Sequence, residues 1–336
     1  MANVLSDLQV TPVGDVSAIL GEGPYWIPSE SALLWVDIEA GVLHRTDIPS
    51  GATTSTELGE VSAAFPAQGG GILYAGGNQV ILRQPASGVS GSSVASSGSG
   101  VASSGSGVSG SGRVASALSD RVVAVAPAHP TVRFNDGKVD PAGRVWIGSM
   151  HEGETRPLGT LYRLDPPSAP GSRYEAVLTP VALRAVVSNG LAWSPDGTRM
   201  YYADSPTRRL DVFDYDLATG AATGRRPLAD LSGYDGFPDG LTVDAEGYVW
   251  VCMWDGAAIR RFTPSGVLDA VVPVPVARPT SVAFGGADMG DLFVTSARID
   301  LTAAELAAQP LAGRLLHLRP GPTGLPSTAT EAIIPA

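Results

Sequence analysis

Residues 133–150 read RFNDGKVDPAGRVWIGSM. Three polar side chains, Arg133, Asn135 and Asp136, come before a glycine, and a Pro-Ala-Gly turn then leads into the apolar run 145–147. Clusters of turn-forming residues between short apolar runs mark hairpins, so this order indicates a strand that starts with polar groups and returns through a tight turn. The polar groups are therefore predicted to lie at one end of a β-hairpin.

The same pattern recurs along the chain. Aligned on a shared glycine or serine, the copies are Glu22-Gly23-Pro24, Asp136-Gly137-Lys138, Asn189-Gly190-Leu191, Asp239-Gly240-Leu241 and a weaker Pro279-Thr280-Ser281. The residue before the shared position is polar in every copy. Repeats of roughly 40 to 50 residues, each with several short strands, are typical of a β-propeller. Because equivalent points of all blades face the propeller axis, these polar residues are expected to converge there.

The repeats are spaced as six blades if one blade contributes nothing to the axis. That blade is the second, at about residues 54–83, which has no acid or amide at the equivalent point. We therefore predict an all-β fold, a single six-bladed β-propeller domain over residues 1–336 with a central metal site. Residues 10–20 are expected to close the ring as an outer strand beside residues 313–318. Residues 300–309 show the one good helical pattern.

Residues 87–112 differ in composition from the rest of the chain. They are mainly serine and glycine, with a few alanines and valines and no charged or aromatic side chain. Such a segment cannot bury enough apolar surface to offset the entropy of ordering it. It is interpreted as a disordered Ser/Gly-rich surface insert between blades two and three rather than as a domain boundary. A lid over the axis is the alternative interpretation.

The net charge and the lack of a recognisable targeting signal limit the partners and the location expected for this protein. The 336 residues carry a formal net charge of −11 with a pI near 4.8, which argues against nucleic acid or an anionic membrane surface as partner. The sequence shows no secretory signal and no run long enough to span a bilayer, so a soluble cytoplasmic protein is expected, monomeric or weakly homo-oligomeric. The single cysteine, Cys252, lies in the apolar run YVWVCMW, which predicts a buried, unreactive thiol.

The predicted convergence of Glu22 and Asp239 with neutral amides offers oxygen ligands from different strands. Such a set suits a hard divalent cation with water in the remaining positions, and an accessible cation of this kind can polarise a carbonyl group. Asn and Asp before glycine are also common turn formers, which would explain any one of these sites taken alone. Their recurrence in register across the repeat favours the metal site.

Other catalytic schemes have weaker support. The four histidines, His44, His129, His151 and His317, lack the spacing of a histidine-rich zinc site, and no GxSxG sequence marks a serine hydrolase. Arg133 could hold a hydroxylated or anionic substrate through its fork of donors, or could form an ion pair with a nearby acid.

Four motifs together resemble the SMP-30/gluconolactonase family. They are GEGPYW at 21–26, RFNDGKVDPAGRVWIGSM at 133–150, SNGLAWSPDG at 188–197 and PDGLTVDAEGYVWVCMW at 238–254. The resemblance covers nearly the whole chain except the Ser/Gly-rich segment. It implies a six-bladed propeller that binds one divalent metal ion on its axis and hydrolyses sugar lactones.

Carried over by motif, the resemblance implies that Glu22, Asn189 and Asp239 ligate the metal. It also implies that Arg133 and Asn135 contact the substrate, and that Asn135 could be a further ligand. These five residues come from four different blades of the predicted ring.

Two positions need a choice between neighbours. The repeat alignment favours Asp136 in its blade, whereas the family pattern favours Asn135; the family is followed, with Asp136 as second choice. Many members of the family carry an acid a few residues after the methionine that corresponds to Met150, and use it toward sugar hydroxyls. That position falls near Gly153 here, and Glu152 is taken as the candidate substrate-binding acid.

The expected function is metal-dependent hydrolysis of an aldonolactone to the sugar acid, with Asp239 as the general base. The expected cofactor is one divalent ion, Ca²⁺ first, with Zn²⁺, Mn²⁺, Mg²⁺ or Fe²⁺ as alternatives, because an oxygen-rich site accepts all of them. Two other functions stay open: an organophosphate or aryl-ester hydrolase that uses the same metal site, and a non-enzymatic calcium-binding or interaction propeller.

Overall fold

Six sheets follow one another along the chain and form the blades of a β-propeller, as the sequence predicted. The structure, a computed structural model, describes residues 2–67, 70–85, 118–165 and 176–328. The predicted Ser/Gly-rich insert 87–112 lies outside the described residues. Blades one to five each contain four antiparallel strands that are consecutive in sequence.

The strands have the following bounds. Before blade one come β1 (Asn3–Val4) and β2 (Thr11–Ser17). Blade one contains β3 (Gly21–Ile27), β4 (Ala32–Asp37), β5 (Val42–Asp47) and β6 (Thr53–Glu57). Blade two contains β7 (Ala63–Ala67), β8 (Gly71–Gly76), β9 (Gln79–Pro85) and β10 (Leu118–Val125). Blade three contains β11 (Val132–Val139), β12 (Val145–His151), β13 (Gly159–Asp165) and β14 (Val177–Ala185).

The second half of the ring repeats this plan. Blade four contains β15 (Ser188–Trp193), β16 (Arg199–Asp204), β17 (Arg209–Asp216) and β18 (Ala221–Asp230). Blade five contains β19 (Phe237–Val243), β20 (Val249–Trp254), β21 (Ala258–Phe262) and β22 (Leu268–Pro273). Blade six contains β23 (Pro279–Gly285), β24 (Asp291–Ser296) and β25 (Arg314–Leu318). Two 3₁₀ turns, Pro28–Glu30 and Ser205–Thr207, follow β3 and β16.

The N-terminal segment closes the ring, which confirms the sequence prediction. Strand β2 pairs antiparallel with β25 of blade six, with Thr11 opposite His317, and so supplies that blade's fourth strand. Strand β1 adds in parallel to β22 of blade five, with Asn3 opposite Ala270. These pairings join the N-terminal segment to the last two blades, and each adds a strand to the outer edge of its blade.

The outer strands of blades one and two differ from the sequence interpretation. Strand β6 pairs with β5 and belongs to blade one, and β10 pairs with β9 and belongs to blade two. Segment 87–112 therefore comes between the third and fourth strands of blade two, whereas the sequence placed it between blades two and three. Both outer strands carry many exposed polar residues, so hydrophobic alternation does not mark them.

The core lies between neighbouring blades. A tryptophan in the second strand of blades one, three and five is buried, namely Trp35, Trp146 and Trp250. In blades three and five the indole N–H donates to the aspartate of the preceding turn, Asp140 at 3.2 Å and Asp244 at 2.8 Å. Both carboxylates also accept backbone N–H groups of their own turns. The large rings supply buried apolar area, and each polar N–H has a partner.

The predicted helix is present as α1 (Ala303–Ala308), inside blade six. Its N-terminus is fixed by a capping box, in which Thr302 accepts from the Glu305 N–H and Glu305 accepts from the Thr302 N–H. In the part of the chain that the structure describes, no helix has the length and apolar character needed to cross a membrane.

Candidate active site

The first strands of the blades line the propeller axis. β3, β7, β11, β15, β19 and β23 contact one another in sequence, and β23 returns to β3. The shared glycines make this close approach possible. A Cβ at Gly190 would lie 2.5 Å from the Asp239 carbonyl oxygen, and a Cβ at Gly240 would lie 2.1 Å from Ser281 Oγ. In blades four and five the shared glycine is therefore required by the neighbouring inner strand, whereas Gly23 of blade one has open space around it and a left-handed φ of 56°.

A β-bulge interrupts the first strand of five blades at the polar position. The register shifts lie between Glu22 and Tyr25, Phe134 and Gly137, Ser188 and Leu191, Pro238 and Leu241, and Pro279 and Val282. In blade two, β7 pairs with β8 with no such shift in the described residues. A bulge redirects side chains out of the regular alternation. The blade that has no axial acid or amide is thus also the one whose inner strand is regular.

An axial cavity of about 410 Å³ brings together five of the predicted site residues. They are Glu22, Arg133, Asn135, Asn189 and Asp239. All except Arg133 are at least nine-tenths buried. The predicted convergence on the axis is therefore present, and none of the four histidines contributes to it.

The bulge register explains why Asn135 rather than Asp136 lines the axial cavity. In blades four, five and six the two residues without a ladder partner are the polar residue and the shared glycine or serine, whereas in blade three they are Asn135 and Asp136. The bulge of blade three therefore begins one residue earlier. Asp136 is buried beside the cavity, and its Oδ1 accepts from the Gly137 N–H at 2.7 Å.

A chain of hydrogen bonds fixes the amides of the cavity. Arg133 donates to Asn135 Oδ1 at 3.0 Å, and Asn135 Nδ2 donates to Asn189 Oδ1 at 2.8 Å. Asn189 Nδ2 in turn donates to Ser205 Oγ at 2.8 Å. Ser205 belongs to a 3₁₀ turn and carried no signal in the sequence. Because every member has a partner, the orientation of the group is set before a ligand arrives.

Burial and like charge act together on the carboxylates. Burial, reinforced by the charge of Asp136, raises the pKa of Glu22 to about 8. Burial also raises the pKa of Asp239 well above its usual range, and the charges of Glu22 and Asp136 add to this effect. The positive charge of Lys138 opposes the rise in the pKa of Asp136. The Lys138 side chain is partly buried, and its Nζ donates to the Leu241 carbonyl at 2.6 Å. Because three buried carboxyl groups lie close together, ionising all of them at once is unfavourable unless a cation is added.

This donor set fits a divalent cation by its chemistry. It offers two carboxylates and two amides, all with oxygen donors, around one water-accessible cavity. No cluster of three or more His, Cys, Asp or Glu side chains suited to sharing an ion occurs within the described ranges. A cation here would depend on the amide oxygens and on water, and its charge would offset the repulsion between Glu22 and Asp239.

Glu154, not Glu152, reaches the axial cavity. Residues 151–154 form a tight turn in which the Glu154 N–H donates to the His151 carbonyl at 2.8 Å, and Glu154 adopts a left-handed conformation with φ of 53°. Glu154 therefore lines the axial cavity, whereas Glu152 lines only the wider space above it. Counting residues along the sequence missed Glu154 because the turn changes which acid faces inward.

Two aromatic side chains form part of the wall of the axial cavity. Phe237 and Trp254 are paired across the β19–β20 ladder and both line the axial cavity. An arginine lies over each ring, with Arg208 Cζ 5.0 Å from the Phe237 centroid and Arg278 Cζ 4.8 Å from the Trp254 centroid. These cation–π contacts hold the rings at the rim. Neither aromatic residue was predicted from the sequence to line the cavity, although both flank the Asp239 repeat.

Comparison with known proteins gives a consistent result over the whole chain. The family model described as SMP-30/Gluconolactonase/LRE-like region matches residues 20–298. The chain is 33% identical to the 6-deoxy-6-sulfogluconolactonase of Pseudomonas putida, over 90% of this chain and 91% of that protein. It is 32% identical to the pentonolactonase XacC of Haloferax volcanii, over 96% and 99%. Among solved structures, the calcium-binding protein regucalcin from Agrobacterium tumefaciens superimposes with a TM-score of 0.82 at 27% identity, over 98% and 100% of the two chains.

Proposed function

The chain belongs to the SMP-30/Gluconolactonase/LRE-like family, and we propose that it is a metal-dependent hydrolase that opens an aldonolactone to the corresponding sugar acid. The observation that carries this proposal is the axial cavity, where Glu22, Asn189 and Asp239 meet Arg133 and Asn135. Relatives named as lactonases, which match nearly end to end, support the same reaction class.

We assign Glu22, Asn189 and Asp239 as the residues that would hold one divalent cation. When bound, such a cation supplies Lewis-acid polarisation of a carbonyl group. Ca²⁺ is the ion we favour, because the donors are all oxygen and its charge would offset the repulsion between the carboxylates; Zn²⁺, Mn²⁺, Mg²⁺ and Fe²⁺ are the alternatives to be compared. The solved neighbour named as a calcium-binding protein supports this choice.

The remaining roles belong to the chain's own groups. Arg133 orients the lactone by donating hydrogen bonds to its oxygens, and Asn135 offers its Oδ1, which also accepts from Arg133, to a lactone hydroxyl. Asp239 accepts a proton from a water molecule, because its carboxylate lines the same cavity as Arg133 and Asn135, where the lactone would bind. The water oxygen bonds to the carbonyl carbon, the bond from that carbon to the ring oxygen breaks, and the proton passes to the ring oxygen. The product is an open-chain hydroxy acid.

A second candidate, an organophosphate or aryl-ester hydrolase, uses the same site. Phe237 and Trp254 favour it, because an apolar wall binds an aryl group well. Arg133 and Glu154 line the same cavity and suit a hydroxylated ring better than an aryl group. Parallel assays with paraoxon and glucono-δ-lactone separate the two functions.

The test is lactone hydrolysis by pH-stat on chelator-stripped protein, with each metal added back in turn. The panel contains glucono-δ-lactone and galactono-, xylono- and arabinono-lactones, each corrected for spontaneous opening. We expect metal-dependent turnover of at least one lactone, and Asp239→Ala to lose turnover and metal binding together. Full activity of Asp239→Ala would show that Asp239 is neither the metal ligand nor the base. No lactone turnover with any metal would favour an organophosphate or aryl-ester hydrolase, or a non-enzymatic calcium-binding propeller.

A further inference from the structure

A second and larger space adjoins the axial cavity. This mouth has a volume of about 920 Å³ and extends over blade two, which supplies no acid or amide to the axial cavity. The two spaces share six lining residues, which we call the neck: Leu20, Ile38, Arg133, Met150, Glu154 and Trp254. A molecule bound at the axis would therefore extend through the neck into the mouth.

The combined space exceeds the size of a single sugar ring. A hexonolactone has about 12 non-hydrogen atoms, whereas the mouth alone has room for roughly 30 water molecules at about 30 Å³ each. The axial cavity of about 410 Å³ already accommodates one ring. A monocyclic lactone would leave the mouth filled with water.

The neck has the surface that a second ring needs. Trp254 is partly buried and lines both spaces, and Arg278 Cζ lies 4.8 Å from its ring centroid while Arg278 donates to Asp255 at 2.6 Å. The side chain is thus held in place without a substrate. The C–H face of a sugar ring packs on such an aromatic surface while its hydroxyls stay free to hydrogen bond.

The mouth itself offers acceptors for those hydroxyls. Its exposed carboxylates are Glu39, Glu60, Glu152, Glu154 and Asp300, and Asn78 adds an amide. Carboxylates only accept hydrogen bonds, and sugar hydroxyls donate them. The same negative charges repel a phosphate, sulfonate or carboxylate on the incoming group. The second ring that fits is therefore an uncharged sugar.

We propose that the substrate of this site is an aldonolactone that carries a second, neutral sugar ring, with the lactone at the axis and the second ring on Trp254 in the mouth. This inference rests on the proposed lactonase function and deepens it. It assigns Trp254 as a specificity-determining residue for the extended substrate.

The experiment compares kcat/KM for cellobiono-δ-lactone and glucono-δ-lactone on the metal-loaded protein. We expect the extended lactone to be preferred by about tenfold, the value of one good aromatic contact. Trp254→Ala should lower kcat/KM for cellobiono-δ-lactone about tenfold more than kcat/KM for glucono-δ-lactone and so remove that preference, and Trp254→Tyr, which keeps an aromatic face, should restore much of it. Phe237→Ala is the matched control, because Phe237 lines only the axial cavity and should affect both lactones alike.

Melting temperatures of all variants show whether each one folds. Equal kcat/KM for the two lactones in the unmodified protein would overturn the inference while leaving the lactonase function intact. A preference that survives in Trp254→Ala would remove the assignment of Trp254. Absence of turnover with every lactone and metal would overturn the proposed function, and this inference with it.

Discussion

Replacing Glu22 with glutamine should stabilise the metal-free protein at pH 8 and abolish its response to metal. The pKa of Glu22 is raised by burial and by the charge of Asp136, from an ordinary 4.5 to about 8. A carboxyl whose pKa is higher in the folded state contributes stability that is fully present below its unfolded pKa and is lost as pH rises through the folded value. The metal-free protein should therefore lose stability between pH 4.5 and pH 8.

The size of this effect follows from the shift. Each pKa unit corresponds to about 1.4 kcal/mol, so a rise from 4.5 to about 8 lowers the free energy of unfolding by up to about 4 kcal/mol between pH 5 and pH 8. At roughly 2 °C per kcal/mol for a domain of this size, Glu22→Gln should melt up to about 8 °C higher than the unmodified protein at pH 8. At pH 5 the two should nearly coincide.

Thermal melts of chelator-stripped protein at pH 5 and pH 8, with and without added Ca²⁺, measure both the change in stability and the response to metal. The unmodified protein should gain stability from the ion at pH 8, because a ligand that binds only the folded state stabilises it, and Glu22→Gln should gain none. Glu57→Gln, the same change at an exposed site, is the control and should match the unmodified protein. A Glu22→Gln variant that melts lower at pH 8 and still responds to Ca²⁺ would refute the reasoning.

Three further changes test other parts of the site. Glu154→Gln should raise KM for glucono-δ-lactone by about tenfold, because it weakens a charged hydrogen bond to the ring. Glu152→Gln should leave this KM within about twofold. Equal effects of the two changes would contradict the placement of Glu154. Gly240→Ala should lower the free energy of unfolding by about 2 kcal/mol or more in urea melts, since its Cβ would lie 2.1 Å from Ser281 Oγ, and Gly233→Ala, with open space around it, should change it little. The Cys252 thiol, whose pKa is raised by burial, should react with a thiol reagent only after unfolding; fast reaction of the native protein would show that this strand opens.

The repeat made the fold predictable from the sequence. Five copies of one strand-turn-strand pattern, with a gap at blade two, were enough for a six-bladed propeller and for its closure by β2. The outer strands were assigned to the wrong blades because β6 and the first half of β10 are mostly polar and exposed. Pairing of such strands depends on where the chain returns in space, and their composition carries little information about it.

The axial residues were predictable to within one position. Glu22, Asn189 and Asp239 were found because each stands before a glycine that the structure requires, for its left-handed φ at Gly23 and for the close neighbouring strand at Gly190 and Gly240. In blade three the bulge begins one residue earlier relative to that glycine, so the repeat alignment alone pointed to Asp136, and only the family resemblance pointed to Asn135. A bulge adds one residue without changing the hydrophobic pattern on either side, so sequence periodicity cannot locate it.

The residues that sequence reasoning missed share a physical cause. Glu154 reaches the axial cavity through a turn with a left-handed residue, and Trp254 lines it from the last position of the second strand of blade five. Neither position is fixed by local propensity, because each depends on how a strand end meets its neighbours across the ring. The inner strands fix the charges at the axis, and these rim residues decide what can approach them. Substrate choice within this fold is therefore expected to change at the ends of the second strands while the axial acids and amides stay the same.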